Sequence, residues 1–222
     1  MIGLVPAELT EIAVVGAHCD DIAIGLGGTL LTLTAAHPEL TVRALVLTGG
    51  GTVREAEERA ALAEFCGPSV DLTVCDLPDG RTPAHWAAVK EALHAFRLRS
   101  SAQIVFGPHR HDAHQDHRLL AELLPTEFRD QLILGYEIAK WETDTPTPTF
   151  FHPIDTAVAE EKSRLLHVHY ITQLDHDWFD RDAFLGLTRL RGIQCHAAHA
   201  EAFVAEKAML HLRPVSTQES QR

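Results

Sequence analysis

Five short apolar runs recur along the chain, and a segment of helical periodicity follows each of the first four. The runs are Glu11–His18 (EIAVVGAH), Thr41–Gly50 (TVRALVLTGG), Val70–Gly80 (VDLTVCDLPDG), Ala102–Pro108 (AQIVFGP) and Gln131–Ala139 (QLILGYEIA). Short runs rich in β-branched residues, without polar alternation, suit strands covered on both faces. Between them lie DDIAIGLGGTLLTLTAAHPEL, VREAEERAALAEFCG, TPAHWAAVKEALHAFRLR and DHRLLAELLPTEFR, all patterned as helices. Gly67 suits a helix C-cap, and Thr82 with Pro83 suits a helix start. Regular strand–helix alternation predicts an α/β fold with a mostly parallel sheet. Lys140–Thr149 breaks the rhythm with Pro and Thr and reads as a loop. A short strand, FFHPID, and a helix-rich end follow. Residues 1–213 are expected to form a single domain, with 214–222 as a polar, frayed tail.

The apolar runs need a core, and composition supplies one. Of 222 residues, 45% are hydrophobic and 23% charged, which are globular values. The net charge of −12 is opposite to what nucleic acid or anionic lipid would attract, so neither is expected as a partner. No apolar run approaches the ~20 residues that cross a bilayer. No Lys or Arg precedes the first apolar stretch, so no secretory signal is read and a cytoplasmic location is expected. Cys19, Cys66, Cys75 and Cys195 form no CxxC pair and read as free thiols of a reducing compartment. The sequence leaves a homo-oligomer open.

Two polar clusters sit at strand ends. His18, Asp20 and Asp21 follow the first strand, and PHRHDAHQDHR follows the fourth. In open α/β sheets ligands bind outside the carboxyl ends of the strands, so the two clusters are expected to converge there. Adjacent carboxylates at the tip of a buried strand repel each other unless a cation neutralises one of them. A catalytic zinc takes three protein ligands and keeps a position for water. His18 and Asp21 supply two ligands, and the histidine-rich cluster supplies the third. Asp20 is then left beside the water as a general base, although it also stands where a helix N-cap would. His111, His114 and His117 recur every three residues and share a helical face. Asp116 is placed to hold an imidazole in one tautomer. His109, His111 and Asp112 read as a solvated rim. Gly25–Gly28 lack the spacing of a dinucleotide loop and read as close helix–strand packing.

AHCDDIAIGLGGTL together with HDAHQDHR resembles the LmbE-like, or PIG-L-type, zinc-dependent N-deacetylases. Members carry an Ala-His-Pro-Asp-Asp-Glu signature after the first strand and a His-Pro-Asp-His signature later. LTGGG, ILGYE and RGIQCHAAHAEAF are similar to further family segments, so the resemblance covers most of Ile12 to Phe203. It implies a Rossmann-like three-layer fold with the metal site at the C-terminal strand ends. It implies His18, Asp21 and His117 as metal ligands, Asp20 as general base, and His114 as the histidine that steadies the oxyanion or protonates the amine. Asp116 matches the carboxylate paired with His114, and Arg54 matches a substrate-contacting arginine. The implied cofactor is Zn2+ or another divalent ion such as Fe2+. The implied substrate is a small N-acetylated amino sugar or glycoside that loses its acetyl group. Two other readings compete: an amidase acting on a thiol–sugar conjugate, and a metal- or nucleotide-binding module without catalysis. Cys19, Ile22 and Gln115 depart from the family's proline, glutamate and proline. Cys19 is expected to pack rather than ligate.

Overall fold

The computed structural model describes residues 3–6 and 8–210, so the expected tail at 214–222 lies outside the described residues. The alternating pattern folds as β1 (Glu11–Gly16), α1 (Asp21–Ala36), β2 (Thr41–Thr48), α2 (Val53–Cys66), β3 (Asp71–Leu77), α3 (Trp86–Leu98), β4 (Ile104–Pro108), α4 (Gln115–Glu127) and β5 (Leu132–Tyr136). β6 (Phe150–Ile154), α5 (Thr156–His169), α6 (Arg181–Cys195) and β7 (His199–Ala205) follow. The sheet order is β3-β2-β1-β4-β5-β7-β6. The first five strands pair in parallel, as their apolar runs predict. β7 runs antiparallel between β5 and β6.

Side-chain alternation on β1 divides the core. Ile12 and Val14 face one layer with Ile22 and Leu30 of α1, Leu62 and Phe65 of α2, and Leu165 of α5. Ala13 and Val15 face the other layer with Val89 and Leu93 of α3 and Leu120 and Leu124 of α4. These are the three layers of the expected fold. Among the described residues, no helix is long and apolar enough to cross a membrane.

Helix α1 is not continuous. Leu26 leaves helical geometry at φ −148° and ψ 19°, which frees backbone amides that a regular helix would use. Glu201 of β7 takes them, accepting from Gly28 N at 2.9 Å and Thr29 N at 2.6 Å. Lys162 of α5 neutralises this buried carboxylate at 2.6 Å and also donates to the Ile24 carbonyl. Gly25 packs against a strand as expected, whereas Gly27 packs against helix α2. A Cβ at Gly25 would collide with the Tyr136 ring, and one at Gly27 would lie 2.8 Å from Phe65.

Candidate metal centre

β1 ends at Gly16 and the chain turns sharply into α1. Asp21 closes the turn, because its Oδ2 accepts from Ala17 N at 2.8 Å and His18 N at 2.9 Å. Its Oδ1 is thereby aimed at His117 Nε2, 3.2 Å away. His18 Nδ1 lies 3.1 Å from His117 Nε2 and 3.6 Å from Asp21 Oδ2. In a tetrahedral zinc site with ligands at ~2.0–2.2 Å, neighbouring donor atoms lie ~3.3–3.5 Å apart. The spacing of these donors fits such an ion. His114 also offers a ring nitrogen within 4.8 Å of His18 and His117. Asp21 Oδ1 approaches His117 Nε2 to 3.2 Å, so Asp21 is a candidate ligand beside His18 and His117, with His114 next to them.

Carboxylates stand behind both imidazoles, the usual support of a metal-binding histidine. His18 Nε2 is 3.2 Å from both Asp116 Oδ2 and Asp79 Oδ1. His117 Nδ1 is 2.9 Å from Asp112 Oδ2, an ion-pair approach off the hydrogen-bond line. Burial alone would lower both histidines. The Asp21 charge and these carboxylates more than reverse it, lifting His18 well above the usual range and His117 to about 9. A metal at these imidazoles would bind in competition with protons.

Asp20 is buried beside the ligands in a strained backbone, φ +121°. It holds the N-cap position of α1 as expected, but its carboxylate makes no cap hydrogen bond. It faces Arg54 Nη2 at 3.1 Å instead, and the same nitrogen donates to the Cys19 carbonyl. Burial pushes Asp20 up to about 7, with Arg54 opposing and Asp21 adding to the rise. A carboxylate with proton affinity near neutrality suits a general base. Arg54, which the resemblance matches to a substrate-contacting arginine, turns its guanidinium to Asp20.

His114 caps α4, and its Nδ1 accepts from Asp116 N at 3.3 Å. Its ring stands edge-on to His18, with centroids 4.7 Å apart. Burial and the charged His18 and His117 lower its proton affinity. A neutral ring that accepts at Nδ1 carries its proton at Nε2 and can donate from there. Asp116 does not pair with the His114 ring as expected. Its carboxylate accepts from Gly80 N at 2.8 Å and Thr82 N at 3.1 Å, which turns it toward His18 instead.

The rim reading fails for two residues. Asp112 is 1% exposed and His109 3%, whereas His111 is exposed. Asp112 tolerates burial because His114 N donates to it at 2.7 Å and Lys140 Nζ at 3.1 Å. Cys19 packs as expected. Burial raises its thiol, and its Sγ sits 3.5 Å from the Thr48 carbonyl. Ile22 lies fully in the apolar core. Glu58 was missed: it is fully buried, receives the Tyr170 hydroxyl at 2.7 Å, and is pushed up to about 8 by that burial. Its position four residues after Arg54, on the same helical face, was the available signal. A cavity of about 680 Å³ lies between α4 and residues 144–147, lined by His109 and Phe128 but by none of the ligands, so it is separate from this centre.

Residues 13–126, just over half the chain, match the PIG-L family, GlcNAc-PI de-N-acetylase. The chain belongs to that family. Solved structures share the fold across nearly the whole chain. The conserved protein TT1542 from Thermus thermophilus is 22% identical, with a TM-score of 0.72 over 92% of this chain and 98% of that one. N,N'-diacetylchitobiose deacetylase from Pyrococcus horikoshii is 18% identical, with a TM-score of 0.67 over 88% and 83%. The 4-carboxy-2-hydroxymuconate hydratase of Pseudomonas putida KT2440 is 15% identical, with a TM-score of 0.69 over 93% and 100%. One scaffold therefore carries both deacetylase and hydratase chemistry, and the reaction must be argued from the site.

Proposed function

We propose that this member of the PIG-L family is a metal-dependent N-deacetylase acting on an N-acetylated amino sugar or a metabolite that contains one. The observation that carries the reading is the convergence of His18, Asp21 and His117 at 3.1–3.6 Å beside the buried, near-neutral carboxylate of Asp20. His18, Asp21 and His117 would hold Zn2+ or Fe2+. When bound, that ion supplies Lewis acidity to the acetamide carbonyl and to the attacking water. Asp20 takes the proton from that water. His114 Nε2–H donates to the oxygen that gains charge as the carbonyl becomes tetrahedral, a contribution of about 3 kcal/mol per donor in comparable sites. Arg54 holds the Asp20 carboxylate in place, and Asp112 and Asp116 hold the two ligand imidazoles. The leaving nitrogen then recovers a proton from Asp20 or His114. The family match and the likeness to a chitobiose deacetylase support an N-acetyl sugar as substrate.

The test is acetate release from N-acetylglucosamine and N,N'-diacetylchitobiose, with metal analysis of the same sample. Release that stops on chelation and returns with a divalent ion is expected. Bound metal without release from either sugar would overturn the proposal.

A further inference from the structure

Two exposed rings, Trp141 and His176, and the half-buried Trp178 form a cluster outside the reactive group. Trp141 follows the end of β5 and is 65% exposed. Its ring meets His176 with centroids 6.0 Å apart and Trp178 at 6.2 Å, both edge-on. The His176 and Trp178 rings lie within 15° of parallel. Trp141 Nε1 donates to Asp177 Oδ1 at 2.6 Å. An indole with its N–H satisfied and its edges packed is held in place while much of its apolar surface stays open. A fixed aromatic face of this kind can serve as a platform for a ligand.

Both segments that carry the cluster are tied to the metal centre. Lys140, next to Trp141, bonds Asp112, the carboxylate behind His117. Thr172 bonds Glu57 through its amide at 2.9 Å and its hydroxyl at 2.7 Å. Tyr170 bonds Glu58. Glu57 and Glu58 lie on the same turns of α2 as Arg54, which pairs with Asp20. Trp141 also leaves the sheet at the C-terminal end of β5, the edge from which parallel β1 and β4 release the ligands. The cluster is thus linked, through its chain neighbours Lys140 and Thr172, to the residues around the same centre.

Its charges narrow the ligand. Asp177 bonds Trp141, and Glu142 and Asp175, neighbours of the ring residues in the sequence, are also exposed. Lys140 is already engaged by Asp112 and Asp144. Among the described residues the cation–ring contact found is Arg97 over Phe128, remote from these rings. Carboxylates accept hydrogen bonds from hydroxyl groups and repel phosphate. A flat, fixed indole suits the C–H face of a pyranose ring. We infer that Trp141, backed by His176 and Trp178, binds a second, uncharged sugar ring adjoining the N-acetylated one. The inference rests on the deacetylase reading. It makes a neutral oligosaccharide or glycoside the substrate class, in contrast to a phosphate-linked sugar.

The experiment compares the metal-loaded wild type with Trp141→Ala and Trp141→Phe. Acetate release is measured on N-acetylglucosamine, N,N'-diacetylchitobiose and N-acetylglucosamine 1-phosphate, and tryptophan fluorescence is followed as each is titrated in. Trp141→Ala is expected to raise KM for the disaccharide about 5- to 10-fold, the range of a lost aromatic contact. Its kcat, and the KM for the monosaccharide, are expected to stay at wild-type values, and Trp141→Phe to recover most of the disaccharide KM. Equal KM changes on monosaccharide and disaccharide, or no change on either, would overturn the inference. So would 1-phosphate binding as tight as the disaccharide. Absence of acetate from every sugar would overturn the deacetylase reading alone. The fluorescence titration then decides the platform: a disaccharide-dependent change lost in Trp141→Ala supports it, and no change in the wild type refutes it.

Discussion

Asp112→Asn isolates what a buried carboxylate does for the proposed metal centre. The amide keeps the side chain's size and an oxygen for His114 N, which lies 2.7 Å from Oδ1. It removes the negative charge that faces His117 Nδ1 at 2.9 Å and Lys140 Nζ at 3.1 Å. A carboxylate behind a ligating imidazole typically contributes 10- to 100-fold in metal affinity, about 1.4–2.7 kcal/mol. The metal-free protein should also lose stability. Burial alone would raise the Asp112 carboxyl, but His117, Lys140 and the His114 amide pull it from 3.8 to about 2. A gap of nearly two pKa units corresponds to about 2.5 kcal/mol at neutral pH. Because the folded value lies below the unfolded one, this stabilisation is complete above pH ~4 and is lost as pH falls toward ~2. Chelator competition at neutral pH should show metal binding weakened about 10- to 100-fold. Urea unfolding of the metal-free proteins should show a gap of about 2 kcal/mol at pH ~7 that closes toward pH ~2. Unchanged metal affinity in a folded variant, or a stability gap that ignores pH, would refute this account.

The remaining predictions concern the base and two buried carboxylates. Asp20→Asn should retain metal and lose about 100-fold or more in kcat, and wild-type turnover in that variant would remove Asp20 as the base. Glu58 is pushed up to about 8 by burial, so its contribution to stability is full below pH ~4.5 and is lost as pH rises through ~8. Melting temperatures of Glu58→Gln should accordingly fall less between pH ~6 and ~8 than those of the wild type, and parallel declines would contradict the assignment. Glu201→Ala strands the Lys162 ammonium and the Gly28 and Thr29 amides, a loss of about 3–5 kcal/mol and roughly 10 °C in Tm. Lys162→Met should cost less, because Glu201 keeps both amides; equal losses from the two variants would argue against this account.

The parallel half of the fold was legible because its strands are apolar on both faces and its helices carry clear stops. Gly67, with φ +85°, ends α2 where the sequence suggests. His18, Asp20, Asp21, His114 and His117 were also legible as one neighbourhood, since strand ends of a parallel sheet must converge. β7 escaped notice because HAEAFVA has one β-branched residue and a carboxylate in its middle. Its strand character comes from pairing with β5 and β6, and its Glu201 is tolerable because of Lys162 and a helix break more than 170 residues earlier. Asp112 was misjudged for a related reason. A polar loop is normally solvated, and Lys140, the cation that lets Asp112 turn inward, comes from a different loop. The orientation of Asp116 depends on amides at Gly80 and Thr82, which no local pattern in HDAHQDH announces.

The position of β7 has a consequence for how the molecule is made. Until residue 205 has left the ribosome, β5 has only one hydrogen-bonded neighbour and β6 has none. The nascent chain therefore presents an open strand edge, the kind of surface that joins to other chains or recruits chaperones. The break in α1 also waits, since Glu201 arrives with the same strand. Synthesis of the loop bearing His18 and Asp21 thus long precedes the moment when its helix is locked, and the centre matures after most of the chain has been translated.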